Sequence, residues 1–293
     1  MLKTSTPVSK LEHAHPWEWE VHPGKRDLFR ELGELFQYKD LLFRLVKRDL
    51  LVSYQQTLIG PFWILLQPLL TTIVYSVIFS RIAQIPTDGT PPFLFYLAGV
   101  IIWNFFSDCF TDIMHTFLQN ARIFSKVYFP RLIVPLSAIV TRSIRLGIQL
   151  LVFLTVYLYF LTRGQIAPPT FQIVLVPLML VLTAFFALGA GLIVSVLTAK
   201  YRDLNNVVQF GLRLFMFMTP VVYGASLLEA TPFRLLFWLN PLTPAIEVFR
   251  GAFLTHAAVP QEYILWAMLL VLILVAVGAW LFKKQEIKVM DII

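Results

Sequence analysis

Six stretches of this chain are long and apolar enough, or nearly so, to require lipid rather than water around them. A bilayer core of ~30 Å takes about 20 mostly apolar residues in a helix. The stretches are Leu58–Ser80, Phe93–Phe110, Leu132–Leu161, Phe171–Thr198, Leu204–Tyr223 and Tyr263–Phe282. Backbone groups in hydrocarbon must bond internally, so a series of such stretches predicts helices. Composition agrees: 14% of residues are charged, against about 25% in soluble domains. The reading is an all-α integral membrane protein with six transmembrane helices. The third stretch is too long for a simple crossing. Its Arg142 and Arg145 mark the inner interface, with Leu146–Leu161 deeper in the bilayer.

Orientation follows from the bias of Lys and Arg toward the inner side. With both termini inside, Arg81, Arg163, Arg234 and Arg250 fall outside, and the other 20 of the 24 basic residues fall inside. That split accounts for the net charge of +7 through topology. Nucleic acid, another reason for a basic chain, is not needed as a partner. No cleavable signal peptide is expected, because residues 1–27 are polar and no apolar core follows their first charges. Insertion is expected to use the internal stretches.

The chain divides without a second domain. Residues 1–37 read as a cytoplasmic tail, 38–56 as an amphipathic interface helix, 57–283 as the transmembrane domain and 284–293 as a second cytoplasmic tail. In Tyr38–Tyr54, Leu41, Leu42, Leu45, Val46 and Leu50 form an apolar stripe, with Lys39, Arg44, Lys47 and Arg48 largely off it. Such a helix suits the inner membrane surface. It is either a simple anchor or a docking element for a partner. The connection Gly224–Glu262 is long but not polar. Pro232, Pro241 and Pro244 break it, and Phe233–Leu239 and Ala245–Leu254 keep helical spacing. These read as two short re-entrant helices in the outer leaflet; interfacial helices on the surface are the alternative.

Catalytic machinery is scarce. There is no phosphate-cradling G-x-x-x-x-G-K-[ST], no G-x-S-x-G and no H-E-x-x-H. Cys109 is the only cysteine and reads as a packed, inert thiol. Asp112 and His115, one turn apart, are too few for a metal and read as interfacial hydrogen-bonding groups. No metal or cofactor is expected in this chain. Charges within membrane stretches face a partner or a water-filled path. Arg213 lies well inside the fifth stretch. It is expected either to pair with Asp108 or Asp112, or to face a channel and meet an anionic substrate group. The aromatic residues Trp63, Tyr75, Phe79, Trp103 and Phe106 are candidates for a channel lining, with belt or packing roles as the alternative.

Five segments, in order, resemble one family. YQQTLIGPFWILLQPL at Tyr54–Leu69, YLAGVIIWNFF at Tyr96–Phe106, NARIFSKVYFPRLIVP at Asn120–Pro135, YRDLNNVVQFGLRLFMFMTPVVY at Tyr201–Tyr223 and NPLTPAIEVFR at Asn240–Arg250 are similar to type-2 ABC exporter permeases of the polysaccharide, O-antigen, capsule and teichoic-acid group. The resemblance runs from about Tyr38 to Phe282 and identifies 57–283 as a type-2 ABC transmembrane domain. It implies a non-enzymatic transport subunit in a bacterial inner membrane. It further implies a homodimer with two copies of a separate ABC ATPase, which holds ATP and Mg. The cargo it implies is a glycan on a polyprenyl diphosphate. Docking of the ATPase would use Asn120, Arg122, Phe124, Lys126 and Tyr128 of the second connection, with Arg44, Lys47 and Arg48 of the amphipathic helix. Arg142 and Arg145, with Arg213, are candidates for the diphosphate, because Arg matches phosphate geometry.

Rival readings are export of teichoic acid, a lipid or a drug, a membrane scaffold, and a membrane enzyme on lipid-linked sugars. The last would need a compact set of outer-face groups. Only Asp88, Glu229, Glu247, His256 and Glu262 are available there, scattered along the chain.

Overall fold

The computed structural model describes residues 36–55, 60–124, 129–201, 203–224, 226–227, 232, 234–255 and 257–290. All regular structure among them is helical. Helix α1 (Lys39–Tyr54) follows a 3-10 turn at Phe36–Tyr38. Helix α2 (Gly60–Ile82) opens as 3-10, runs as α from Trp63 to Tyr75 and ends in a π-helical stretch, Ser76–Ile82. Then come α3 (Pro92–Met114), α4 (Thr116–Phe124), α5 (Ile133–Thr162), α6 (Phe171–Lys200) and α7 (Leu204–Phe217). Two short helices, α8 (Arg234–Leu239) and α9 (Leu242–Arg250), follow; α9 continues into a π-helical turn, Gly251–Thr255. The long α10 (Gln261–Met290) ends the described chain.

Among the described residues, five helices are long and apolar enough to cross a membrane: α2, α3, α5, α6 and Gln261–Gln285 of α10. The fifth stretch read from the sequence behaves differently. Its helix α7 has 14 residues, a length of ~21 Å at 1.5 Å per residue. Turns replace helix from Met218, and Pro220, which has no N–H, stands among them.

The ends of the bundle are fixed by side-chain contacts. At the end carrying α1, Phe117 of α4 stacks on Phe282 of α10 with ring centroids 4.6 Å apart. The Thr198 hydroxyl of α6 donates to the Met114 carbonyl there, at 3.3 Å. At the far end, Trp238 of α8 stacks on Tyr263 at the start of α10 at 4.5 Å. The α6 and α10 C-terminal regions thus share one end, so the chain between Lys200 and Gln261 must travel to the far end. Helix α7 and the turns after it make that journey.

Helix α3 is the buried axis. All residues from Leu94 to Phe106 except Asn104 are buried, packed chiefly by α5 and α6. Helix α1 lies against α5, with Leu45 and Val46 buried and Lys39, Arg44 and Lys47 exposed, as its amphipathic spacing predicts. Helix α9 is buried along its whole length, whereas α8 buries only Trp238.

Candidate functional site

At the α1 end, four helices enclose a cavity of about 310 Å³. Helix α1 contributes Arg48, Asp49, Val52 and Ser53, which recur at four-residue spacing and so share a face. Helix α5 contributes Val134, Ala138, Thr141, Arg142 and Arg145, one stripe along its first turns. Asp112 closes the cavity from α3, and Gln119 and Asn120 from α4. A polar hollow walled by three guanidinium groups thus sits between α1 and α4.

Its central contact joins α3 to α5. Asp108 and Asp112 are four residues apart, which puts both carboxylates on one face of α3. Arg142 meets them both. Its Nε donates to Asp112 Oδ2 at 2.6 Å, its Nη2 to Asp112 Oδ1 at 2.8 Å and its Nη1 to Asp108 Oδ2 at 2.9 Å. The fork on Asp112 is the bidentate geometry that makes Arg–carboxylate pairs strong. The expected pairing of Arg213 with these acids is therefore corrected. Arg213 is exposed on α7 and, among the described residues, has no ion pair with either acid. Helix α3 packs extensively on α5, which brings Arg142 onto the two carboxylates.

Across the cavity, Arg48 Nη2 donates to Asn120 Oδ1 at 3.4 Å and Arg48 Nε to Asp49 Oδ1 at 2.8 Å. Asn120 is buried and anchors its own amide on the Thr116 carbonyl at 3.1 Å. His115 bonds Asn205 of α7 at 2.8 Å, while Asp112 bonds Arg142. Both groups hydrogen-bond near this end, but not to each other. No group of metal-ligating side chains occurs among the described residues.

The remaining predicted residues separate into surface and interior. Arg44 and Lys47 are exposed and Arg48 is half-buried. Phe124 is 7% exposed, packed between Phe117 and Phe129, and Arg131 lies over its ring. It belongs to the interior and not to a docking surface, because α4 turns its apolar face onto α6 and α10. The Arg122 side chain, Lys126 and Tyr128 lie outside the described residues. Trp103 and Phe106 are buried within the single chain. They pack on each other and on Phe215, and Phe106 stacks on Phe186 at 4.8 Å, so they serve packing and not a lining. Trp63 is exposed; Tyr75 and Phe79 are half-buried and meet edge to face at 5.4 Å.

Residues 40–254 match the family described as ABC-2 type transporter. This chain belongs to the ABC-2 type transporter family. Its similarity to individual proteins spans nearly their whole length. An O-antigen export system permease protein RfbA of Klebsiella pneumoniae is 29% identical over 89% of this chain and 97% of its own. Another of the same name from Myxococcus xanthus is 27% identical over 88% and 97%.

Within this ABC-2 chain, Asp49, Ser53, Gln119 and Thr141 were not singled out by sequence reasoning, yet they complete the polar wall around Arg142 and Arg145. The four-residue spacing of Asp108 and Asp112, which puts both on one face of α3, is the local signal for this wall. The meeting of α1 with α4 through Arg48 and Asn120 crosses 72 positions and leaves no local trace.

Proposed function

We propose that this chain is the membrane-spanning permease subunit of an ATP-driven exporter for a polyprenyl-diphosphate-linked polysaccharide of O-antigen or capsule type. It works as a homodimer with two copies of a separate ABC ATPase subunit, which holds ATP and Mg, in a bacterial inner membrane. The observation that carries the reading is similarity to O-antigen export permeases over 97% of their length.

The architecture supports it. Helix α7 with the turns at 218–224 supplies a sixth crossing beside the five long helices, which keeps both termini on the cytoplasmic side. Lys and Arg then gather there as the positive-inside rule requires. Helix α1 is the interface helix, and α8 and α9 are the re-entrant pair. The full burial of α9 in protein is what irregular backbone at membrane depth needs.

The ATPase docks at the α1 end, on Arg44, Lys47 and the segment that follows Asn120. The Arg48–Asn120 contact ties these two docking elements into one input. Motion there reaches α3 and α5 through the Asp108–Arg142–Asp112 bridge. Arg142 and Arg145, with Arg48 beside them, are the cations that line this cavity and would meet the diphosphate. Past the cavity, Trp63, Tyr75, Phe79 and Arg213 face the path between the two copies.

Expression with its ATPase in a host lacking its own O-antigen permease tests the reading. Surface polysaccharide is expected to return, and only with an ATPase competent for hydrolysis. Rescue of drug resistance or lipid export without polysaccharide would assign another cargo. Glycan modification by the purified chain alone would make it an enzyme.

A further inference from the structure

Arg250 is the largest fully buried side chain among the described residues, and it lies at the far end from the cavity. Its Nη1 donates to the carbonyls of Pro220 at 2.7 Å and Tyr223 at 3.0 Å, and to Glu247 Oε1 at 3.0 Å. Its Nη2 donates to the carbonyls of Val221 at 2.7 Å and Phe95 at 3.3 Å. The guanidinium also stands 3.7 Å from the centroid of the Phe95 ring, in cation–π contact. One side chain therefore joins the end of α9, the start of α3 and the turns that terminate α7.

Those turns are where a tie is needed. A helix end leaves carbonyls without intrahelical donors, and in a water-poor setting each must find another. The turns that follow α7 carry such carbonyls too, and Arg250 satisfies those of Pro220, Val221 and Tyr223. The surroundings are cut to fit. A Cβ on Gly99 would stand 2.7 Å from the Val221 carbonyl oxygen and 2.8 Å from Arg250 Nη2, so only glycine lets α3 come this close. Asn240, ahead of α9, reinforces the same junction: its Nδ2 donates to Thr219 Oγ1 at 2.9 Å while its Oδ1 accepts from Leu242 N–H at 3.0 Å.

Granting the exporter reading above, we propose that Arg250 is a positioning residue that makes the end of α7, the start of α3 and α9 a single block, closed in every state of the transport cycle. Parting these segments would strand a buried cation and four carbonyls together, far more than parting any ordinary helix contact. Movement instead falls on the π-helical segments that flank the block, Ser76–Ile82 before α3 and Gly251–Thr255 after α9. The opposite arrangement is a latch, in which export requires the Arg250 contacts to open.

A tether distinguishes block from latch. Ser226 Oγ donates to Asp88 Oδ1 at 2.5 Å, and both residues are exposed beside this junction. Asp88→Cys with Ser226→Cys is made in a Cys109→Ala chain, alone and with Arg250→Lys. The pair is closed by oxidation or by a short bis-thiosulfonate, and surface polysaccharide is read in the permease-null host. With Arg250 present, closing the tether is expected to leave export unchanged. Arg250→Lys alone is expected to lower export at least about tenfold, since one ammonium cannot reproduce a fork on several acceptors. Closing the tether in Arg250→Lys is expected to return most of that export, as a residue needed only for chemistry with substrate would not allow. Loss of export on closure with Arg250 present, restored by reductant, overturns the proposal. So does Arg250→Lys exporting like its parent, or showing no recovery when tethered. Should Arg250→Lys fail to insert, the tether beside the intact arginine still decides between block and latch. A chain of unaltered sequence that supports no export refutes the exporter reading and not the block.

Discussion

Pro68 lies inside α2 and brings no N–H, so the Ile64 carbonyl loses its helical donor. Gln149 of α5 supplies a replacement, its Nε2 donating to that carbonyl at 3.4 Å. An amide in the middle of a long apolar helix is explained by this one bond. Gln149→Leu is therefore expected to destabilise the protein by about 1 kcal/mol. Pro68→Ala, which gives Ile64 back its own donor, should make Gln149→Leu nearly neutral. Thermal unfolding of the four variants in detergent checks this; equal losses in both backgrounds would separate the two residues. The missing donor was legible in the sequence, because proline announces it. Its partner was not, because 85 positions separate the bonded residues. The same holds at the cavity. That Asp108 and Asp112 share a face follows from their spacing, but which arginine meets them depends on which helix packs on α3. Arg142→Leu leaves two half-buried carboxylates without their cation and is expected to cost about 2 kcal/mol. Asp108→Asn and Asp112→Asn, added to it, should recover most of the loss of folded yield.

Among the elements, α6 and α10 form the closest pair. A Cβ on Gly189 would stand 2.7 Å from backbone atoms of Leu274 and Val275, and one on Gly278 would stand 2.6 Å from the Gly189 carbonyl oxygen. Small residues let membrane helices approach to backbone distance, where packing replaces the hydrophobic driving force that lipid removes. Gly189→Val is expected to push α10 away and cost about 3 kcal/mol, near the upper range for an overpacked contact. Gly147→Ala, with open space around its Cβ, is the neutral control. Fluorescence size-exclusion profiles after heating separate the two outcomes. Hydropathy located these helices well, since length and apolarity are local properties. It overran α7, because Val221, Val222 and Tyr223 are as apolar as a helix interior although the chain turns from Met218. The family resemblance, in turn, implied a docking role for Phe124, whereas the direction in which α4 faces is set by α6 and α10 and buries that ring.

For the whole molecule, the exposed face of α7 is the feature that a single chain leaves unexplained. Val207, Phe210, Leu214 and Phe217 recur at helical spacing and are all exposed, and Trp63, Leu70, Ile73 and Val74 of α2 are exposed likewise. An apolar face of this length meets either lipid or a second copy of the chain, and neither partner suits the charge of Arg213 beside it. The water-filled path of the proposed homodimer does. Arg213 has no ion pair with Asp108 or Asp112 to lose, so its removal should cost no stability. Arg213→Leu is then expected to insert, bind the proposed ATPase and sustain its basal hydrolysis, while surface polysaccharide is lost in the permease-null host. Arg213→Lys should keep part of the export, since a path needs the charge more than the fork. A chain that fails to accumulate on Arg213→Leu would give the residue a structural partner in the proposed dimer. Unchanged export would remove it from the path and leave α7 as a lipid-facing helix.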